Sequence, residues 1–113
     1  MDCIFCQIIS GKAPGDIIFR DDLVTVFRDI HPIAATHLLI VPNRHIDSIN
    51  DLEETDALVV AHMIMIAKEL AAREGVEKRG YRLIINTGPD GGQTVFHLHL
   101  HLIAGKRARL TLA

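Results

Sequence analysis

From Phe96 to Leu102 apolar residues and histidines alternate without a break: Phe96, Leu98, Leu100 and Leu102 are separated by His97, His99 and His101. A repeat of two is the period of a β-strand, whose successive side chains leave opposite faces of the sheet. The alternation predicts a strand over Val95 to Ile103, with one side against a core and all the imidazoles on the other. Histidines spaced in this way lie about 6.6 to 7 Å apart, whereas ligands of one zinc ion need donor atoms within roughly 4 Å of each other. The row therefore does not chelate one metal among its own members. A single strand histidine is commonly just a half-exposed polar residue, but three in strict alternation after a glycine-rich loop point to chemistry.

The rest of the chain supplies the sheet and its cover. Ile4 to Ser10, followed by Gly11, has the length and glycine stop of a short helix. Ile17-Ile18-Phe19 and Leu23 to Phe27, separated by Asp21-Asp22, read as a hairpin. In its second strand Leu23, Thr25 and Phe27 share one face, and Val24 and Val26 the other. Thr36 to Val41 forms a third strand, stopped by Pro42, which has no N–H to give a ladder. Asp51 and Glu54 open a helix running to about Glu74, with Gly75 as its stop. Along it Leu58, Ala61, Met65, Lys68 and Ala72 recur at helical spacing, while Val59, Val60, Met63, Ile64 and Ile66 widen the apolar surface. So wide a stripe calls for more than one partner surface. Tyr81 to Ile85 is a fourth strand, joined to the histidine strand by the loop from Asn86 to Thr94. The order predicts an α+β fold: a mainly antiparallel five-stranded sheet with one long and one short helix. With 113 residues and no repeat or linker, the chain reads as one domain spanning 1–113.

Several function classes are disfavoured. Lys and Arg total 12 against 14 Asp and Glu, so no basic excess exists to hold a nucleic acid. The apolar stretch from Ala57 to Ala67 is interrupted by His62 and followed by Lys68-Glu69, well short of a membrane span. Met1-Asp2-Cys3-Ile4-Phe5-Cys6 lacks the basic start and apolar run of a signal peptide, which leads to the expectation of a cytoplasmic protein. A disulfide between Cys3 and Cys6 would close a tiny loop and constrain little. In a reducing compartment these cysteines are expected to bind metal or simply to be buried.

A neutral imidazole is a competent nucleophile near neutral pH, and a covalent intermediate divides one difficult displacement into two easier steps. His99, flanked by like residues, is the natural centre. Its neighbours can donate hydrogen bonds to phosphoryl oxygens, where charge is held in the transition state. His37, on another strand, is placed to close over the same face. Gly88-Pro89-Asp90-Gly91-Gly92-Gln93-Thr94 has the composition of a hairpin loop. Directly before the histidines, its backbone N–H groups can instead cradle a phosphate, together with Gln93 and Thr94.

His97-Leu98-His99-Leu100-His101-Leu102-Ile103 resembles the histidine triad motif. Ile4-Phe5, Ile17-Ile18-Phe19, Asp21-Asp22, Phe27, Asp29-Ile30, Pro32, Thr36-His37, Tyr81-Arg82 and Asp90-Gly91-Gly92-Gln93 follow in the order of the histidine triad nucleotide-binding branch. The resemblance covers nearly the whole chain. It implies a protomer that pairs into a symmetric dimer with one nucleotide site in each subunit. By the same resemblance His99 forms a nucleotidyl-histidine intermediate, and His101 and His37 line the phosphate. Asn86, Gln93 and Thr94 match residues that contact the phosphate or leaving group, Thr94 standing where the branch often has serine. Asp29 matches the carboxylate that binds the ribose hydroxyls, with a turn role as the competing reading. Phe5, Phe27 and Ile30 match the base-pocket wall, core packing being the alternative for the two aromatics. After Ile103 the chain runs Ala104-Gly105-Lys106-Arg107 to Ala113, where some relatives carry a longer tryptophan-bearing tail that shapes the leaving-group side.

The resemblance leads to the expectation of a purine nucleoside phosphoramidase. It would cleave the P–N bond of an adenosine 5′-phosphoramidate through nucleotidyl-His99 and release AMP, with no cofactor required for the chemistry. The alternatives are a dinucleoside polyphosphate hydrolase with the same nucleophile, or a nucleotide-binding regulatory module whose hydrolysis is incidental. Independently, Cys3-x-x-Cys6 is a familiar zinc half-site. His45, in a loop able to reach the first helix, and His97, the triad member farthest from the phosphate, complete the expected ligand set, as in histidine triad proteins that share the cysteine pair. Burial of both cysteines as small hydrophobes is the alternative. The apolar width of the long helix adds the expectation of a homodimer.

Overall fold

The computed structural model describes residues 3–105. Lys106 to Ala113, which stand where some relatives carry the longer tryptophan-bearing tail, lie outside them. Cys3 caps the first helix, α1 (Ile4–Ser10), its Sγ accepting the Cys6 N–H at 3.4 Å. Gly11 ends the helix at φ 84°, a left-handed turn that a Cβ would oppose, and its N–H reaches Ile8 O at 3.1 Å. There follow β1 (Ile17–Arg20), β2 (Val24–Arg28) and β3 (Thr36–Pro42). Two 3-10 turns, Ile49–Asp51 and Glu54–Asp56, lead into α2 (Ala57–Arg73), and β4 (Tyr81–Ile84) and β5 (Leu100–Ala104) close the sheet. The strand order is β1-β2-β3-β5-β4, and each neighbouring pair is antiparallel.

The first turn expected of the long helix is the 3-10 turn at Glu54–Asp56, where Asp56 Oδ2 accepts the Glu53 N–H at 2.9 Å. One face of the sheet packs on α2: Val24, Val26, Leu38, Ile40, Leu98, Leu100 and Leu102 meet Met63, Ile66, Ala67, Leu70 and Ala71. The other face carries Phe27, Leu39 and Val41, covered by Phe5 and Ile8 of α1. Both faces of β2 and β3 are therefore buried, with Val24 and Val26 towards α2 and Phe27 towards α1 as the alternation predicts. The helix stripe read first from the sequence, Leu58 to Ala72, faces away from the sheet: Leu58 is 79% and Met65 54% exposed. The buried face is on the opposite side of the helix, at Met63, Ile66, Ala67, Leu70 and Ala71.

The histidine strand is also shorter than the alternation predicts, beginning at Leu100 rather than Val95. Ile40 pairs with Leu100, so Leu98 falls opposite Pro42, which ends β3 and has no N–H for the ladder. From there the backbone bonds elsewhere, Leu98 N–H donating to Ile46 O at 2.6 Å. Leu98, Leu100 and Leu102 all face α2, which places the imidazoles on the α1 side.

Candidate active site and metal cluster

His99 is held by its own strand. Its Nδ1 lies 2.7 Å from the carbonyl oxygen of His97, which can only accept, so Nδ1 carries the proton and Nε2 the free lone pair. The ring is buried, 7% exposed, and stands edge-on to Phe5 with centroids 5.1 Å apart at 88°. Burial lowers its pKa from the ordinary histidine value, which keeps the lone pair available.

A string of donors fixes the next two imidazoles. The Ile33 N–H donates to His37 Nδ1 at 3.2 Å, so His37 carries its proton on Nε2. That Nε2 lies 3.0 Å from His101 Nδ1 and 3.4 Å from Asp29 Oδ2, and donates towards both. His101 therefore accepts at Nδ1 and bears its own proton on Nε2. Burial, reinforced by His99 and His37, lowers the pKa of His101 to about 4, and burial also lowers that of His37. This arrangement supplies a neutral nucleophile beside a neutral donor. Asp29, His37 and His101 also bring one potential ligand atom each close together, a proximity that these hydrogen bonds account for.

A cavity of about 280 Å³ opens beside His99 and His101, walled by Phe5, Phe27, Ile30 and Asp29. Its volume is close to the lower end of those typical of small-molecule sites. Ile30 is 81% exposed at its rim, and Thr94 lines the mouth. Asp29 serves the turn and the site together: Oδ1 accepts the His31 N–H at 2.8 Å while Oδ2 faces His37. Ile4, Ile8, Leu39 and His31 also line the cavity and were missed from sequence. The i, i+4 pair Ile4 and Ile8, beside Phe5 on one short helix, was the available signal. A second cavity of about 460 Å³ lies beyond His101, lined by Asn86, Thr94, Ile84 and Ile103.

The glycine-rich loop differs from the cradle expected of it. The N–H groups of Gly91 and Gln93 bond to Gly88 O, and that of Gly92 to Pro89 O, so the turn closes on itself. Gln93 is buried as a brace, its amide nitrogen donating to Asp47 O at 2.7 Å and Val95 O at 3.1 Å while Oε1 accepts the Gly88 N–H at 2.9 Å. Asn86 ties the same loop, donating to Gly91 O at 2.8 Å. Thr94, at the end of the loop, lines both cavities.

His97 turns away from the nucleotide cavity into a second cluster. Its Nε2 donates to Pro42 O at 2.8 Å, leaving Nδ1 with its lone pair 3.3 Å from Cys3 Sγ and 3.6 Å from Cys6 Sγ. His45 repeats the pattern: Nε2 donates to Asp47 Oδ1 at 2.6 Å, and Nδ1 faces Cys6 Sγ at 3.4 Å. A tetrahedral zinc ion with bonds of about 2.3 Å to sulfur and 2.0 to 2.1 Å to nitrogen sets ligand atoms about 3.6 Å apart. The donor set, the spacing and the outer hydrogen bond of each histidine all fit such an ion. Burial lowers the pKa of His97 to about 4, so its ring is neutral, as a ligand must be.

Residues 2–111 match the family model described as "Scavenger mRNA decapping enzyme C-term binding". The chain is 47% identical over 105 residues to the purine nucleoside phosphoramidase of Escherichia coli (strain K12), covering 93% of this chain and 88% of that one. It superposes on a HIT family hydrolase from Legionella pneumophila Philadelphia 1 with TM-score 0.93 and 44% identity, over 97% of this chain and 98% of the other. It also superposes on a zinc-bound histidine triad family protein from Mycobacterium smegmatis with TM-score 0.82 and 35% identity, over 96% and 78% of the two chains.

Proposed function

Since this chain belongs to the histidine triad family, we propose that it is a nucleotide-binding hydrolase that cleaves the P–N bond of purine nucleoside 5′-phosphoramidates. The observation that carries the reading is the pinned His99: Nδ1 is held by the His97 carbonyl, so Nε2 is the one free nitrogen that the ring can present to the cavity. Nε2 attacks phosphorus, the P–N bond breaks, and the amine departs with a proton. Water then attacks the nucleotidyl-histidine to release AMP and restore the imidazole. His101, its Nδ1 filled by His37, has an Nε2 proton to give a phosphoryl oxygen or the leaving nitrogen. Phe5, Phe27 and Ile30 flank the base, Asp29 takes the ribose hydroxyls, and Thr94 and Asn86 stand on the leaving-group side.

The charge of the lining favours a phosphoramidate over a dinucleoside polyphosphate. Among the described residues, the guanidinium on the two cavities is that of Arg28, and both its terminal nitrogens are held by Glu74 at 3.1 Å. Among the described residues, a polyphosphate leaving group would find no free cation there. The test is a substrate panel on purified protein: kcat/KM for adenosine 5′-phosphoramidates of simple amines should exceed that for diadenosine polyphosphates by about 10²-fold or more. The reverse order overturns the reading, and nucleotide binding without turnover on any substrate would favour a regulatory module.

The same proposal includes a structural zinc ion held by Cys3, Cys6, His45 and His97, whose loading fastens α1 to the sheet. It also includes a homodimer and a cytoplasmic setting. Among the described residues no helix is long and apolar enough to cross a membrane.

A further inference from the structure

The metal cluster and the nucleotide site share parts. Phe5 sits between Cys3 and Cys6 in sequence, and its ring is edge-on to both His97, at 5.9 Å, and His99, at 5.1 Å. It also packs on Phe27 at 5.2 Å, completing the cavity wall. A helix of seven residues is too short to persist by its own hydrogen bonds. What holds α1 in place is its anchors, and the two thiols are among them. His97 is shared more directly: its ring belongs to the cluster, and its carbonyl holds the His99 Nδ1 proton at 2.7 Å. A third link runs through Asp47. Its carboxylate holds His45 at 2.6 Å, and its main-chain carbonyl accepts from Gln93 at 2.7 Å, the brace of the loop that ends at Thr94.

We propose that zinc binding at Cys3, Cys6, His45 and His97 and nucleotide binding at His99 are coupled through α1, His97 and the Asp47–Gln93 link, so that each ligand raises the affinity of the other. The inference rests on the zinc reading above. Loading the cluster orders the base-pocket wall, the acceptor that orients the nucleophile and the loop on the leaving-group side before the nucleotide arrives. Nucleotide binding to the stripped protein must order the same groups itself, which weakens it. Linkage makes the effect reciprocal, because the coupling free energy is common to both ligands.

The test is a closed thermodynamic cycle on the whole chain. Zinc affinity is measured by competition with a chromogenic chelator, with and without saturating AMP. AMP affinity is measured by calorimetry on zinc-loaded and chelator-stripped protein. The same factor, about tenfold, is expected on both sides of the cycle. If the stripped protein loses its fold by circular dichroism, the rate at which excess chelator removes zinc from loaded protein replaces that arm, and saturating AMP should slow release about tenfold. A chain that holds one zinc while AMP changes neither its affinity nor its release overturns the coupling and leaves the zinc reading intact. A chain that takes up no zinc overturns both, and the phosphoramidase reading stands apart from either outcome.

Discussion

The chemistry comes down to which ring nitrogen of each histidine carries a proton, and backbone groups decide it. The His97 carbonyl sets His99, and the Ile33 N–H sets His37 and, through it, His101. His99→Ala deletes the attacking nitrogen but leaves Asp29, Phe27 and the aliphatic wall in place. It should lower kcat by more than about 10³-fold while AMP binding changes only a few-fold. Trapping the nucleotidyl-protein on wild type and mapping it to any other residue would contradict this. The same burial makes the site sensitive to acid. His101 has a pKa of about 4 in the fold against 6.5 for a free histidine. Between those values the unfolded chain binds protons that the folded chain excludes, so stability rises with pH there. The stabilisation is complete above pH 6.5 and is lost as pH falls towards 4. Thermal midpoints taken from pH 7 to pH 4 should therefore fall, and His101→Gln should flatten the slope. A flat wild-type profile, or an unchanged slope in the variant, would remove His101 from this account.

At the scale of elements, the sequence was most legible where one period dominated and least where two readings had equal apolar content. The alternation around His99 put the imidazoles on one side of the sheet and the leucines on the α2 side, as observed. It overran the paired strand, because the end of pairing depends on Pro42 of another strand, a register no local pattern contains. In α2 both sides are apolar, so spacing alone could not choose the buried one. Lys68, inside the stripe read first, marks the solvent side, while the small Ala67 and Ala71 let the buried side approach β3 and β5. Within the site, Cys3-x-x-Cys6 could be read as half of a metal cluster. The orientation of His45 by Asp47, and of His97 by Pro42 O, exists only once β3 and the following loop are in place. Gln93 shows the converse: a residue expected at the phosphate is occupied in holding its own loop.

At the scale of the whole molecule, two unfinished surfaces lie side by side. On α2, Leu58, Ile64 and Met65 are 79%, 47% and 54% exposed. Next to the strand it packs on, β4 forms one edge of the sheet. The opposite edge, β1, is blunted by an irregularity between Ile17 and Phe19, and such bulges discourage edge pairing. β4 has a regular register, Tyr81 to Ile84 against Ala104 to His101, and its outer side has no strand partner among the described residues. A two-fold axis beside β4 would pair that edge antiparallel with itself and bring the two α2 stripes together, which is what a self-complementary interface requires. It would also steady the loop that leaves β4 at Asn86 and ends at Thr94 on the cavity. Light scattering at micromolar concentration should give twice the 12.5 kDa chain mass. In Leu58→Asp with Met65→Lys, each substitution acts twice per dimer, and each large apolar side chain contributes about 1.5 to 3 kcal/mol when buried. The dimer should weaken by about 10²-fold or more, enough to show a concentration-dependent mass, while circular dichroism of the folded chain is unchanged. A wild-type mass of 12.5 kDa rules the dimer out, and a double variant as tight as wild type moves the interface away from α2.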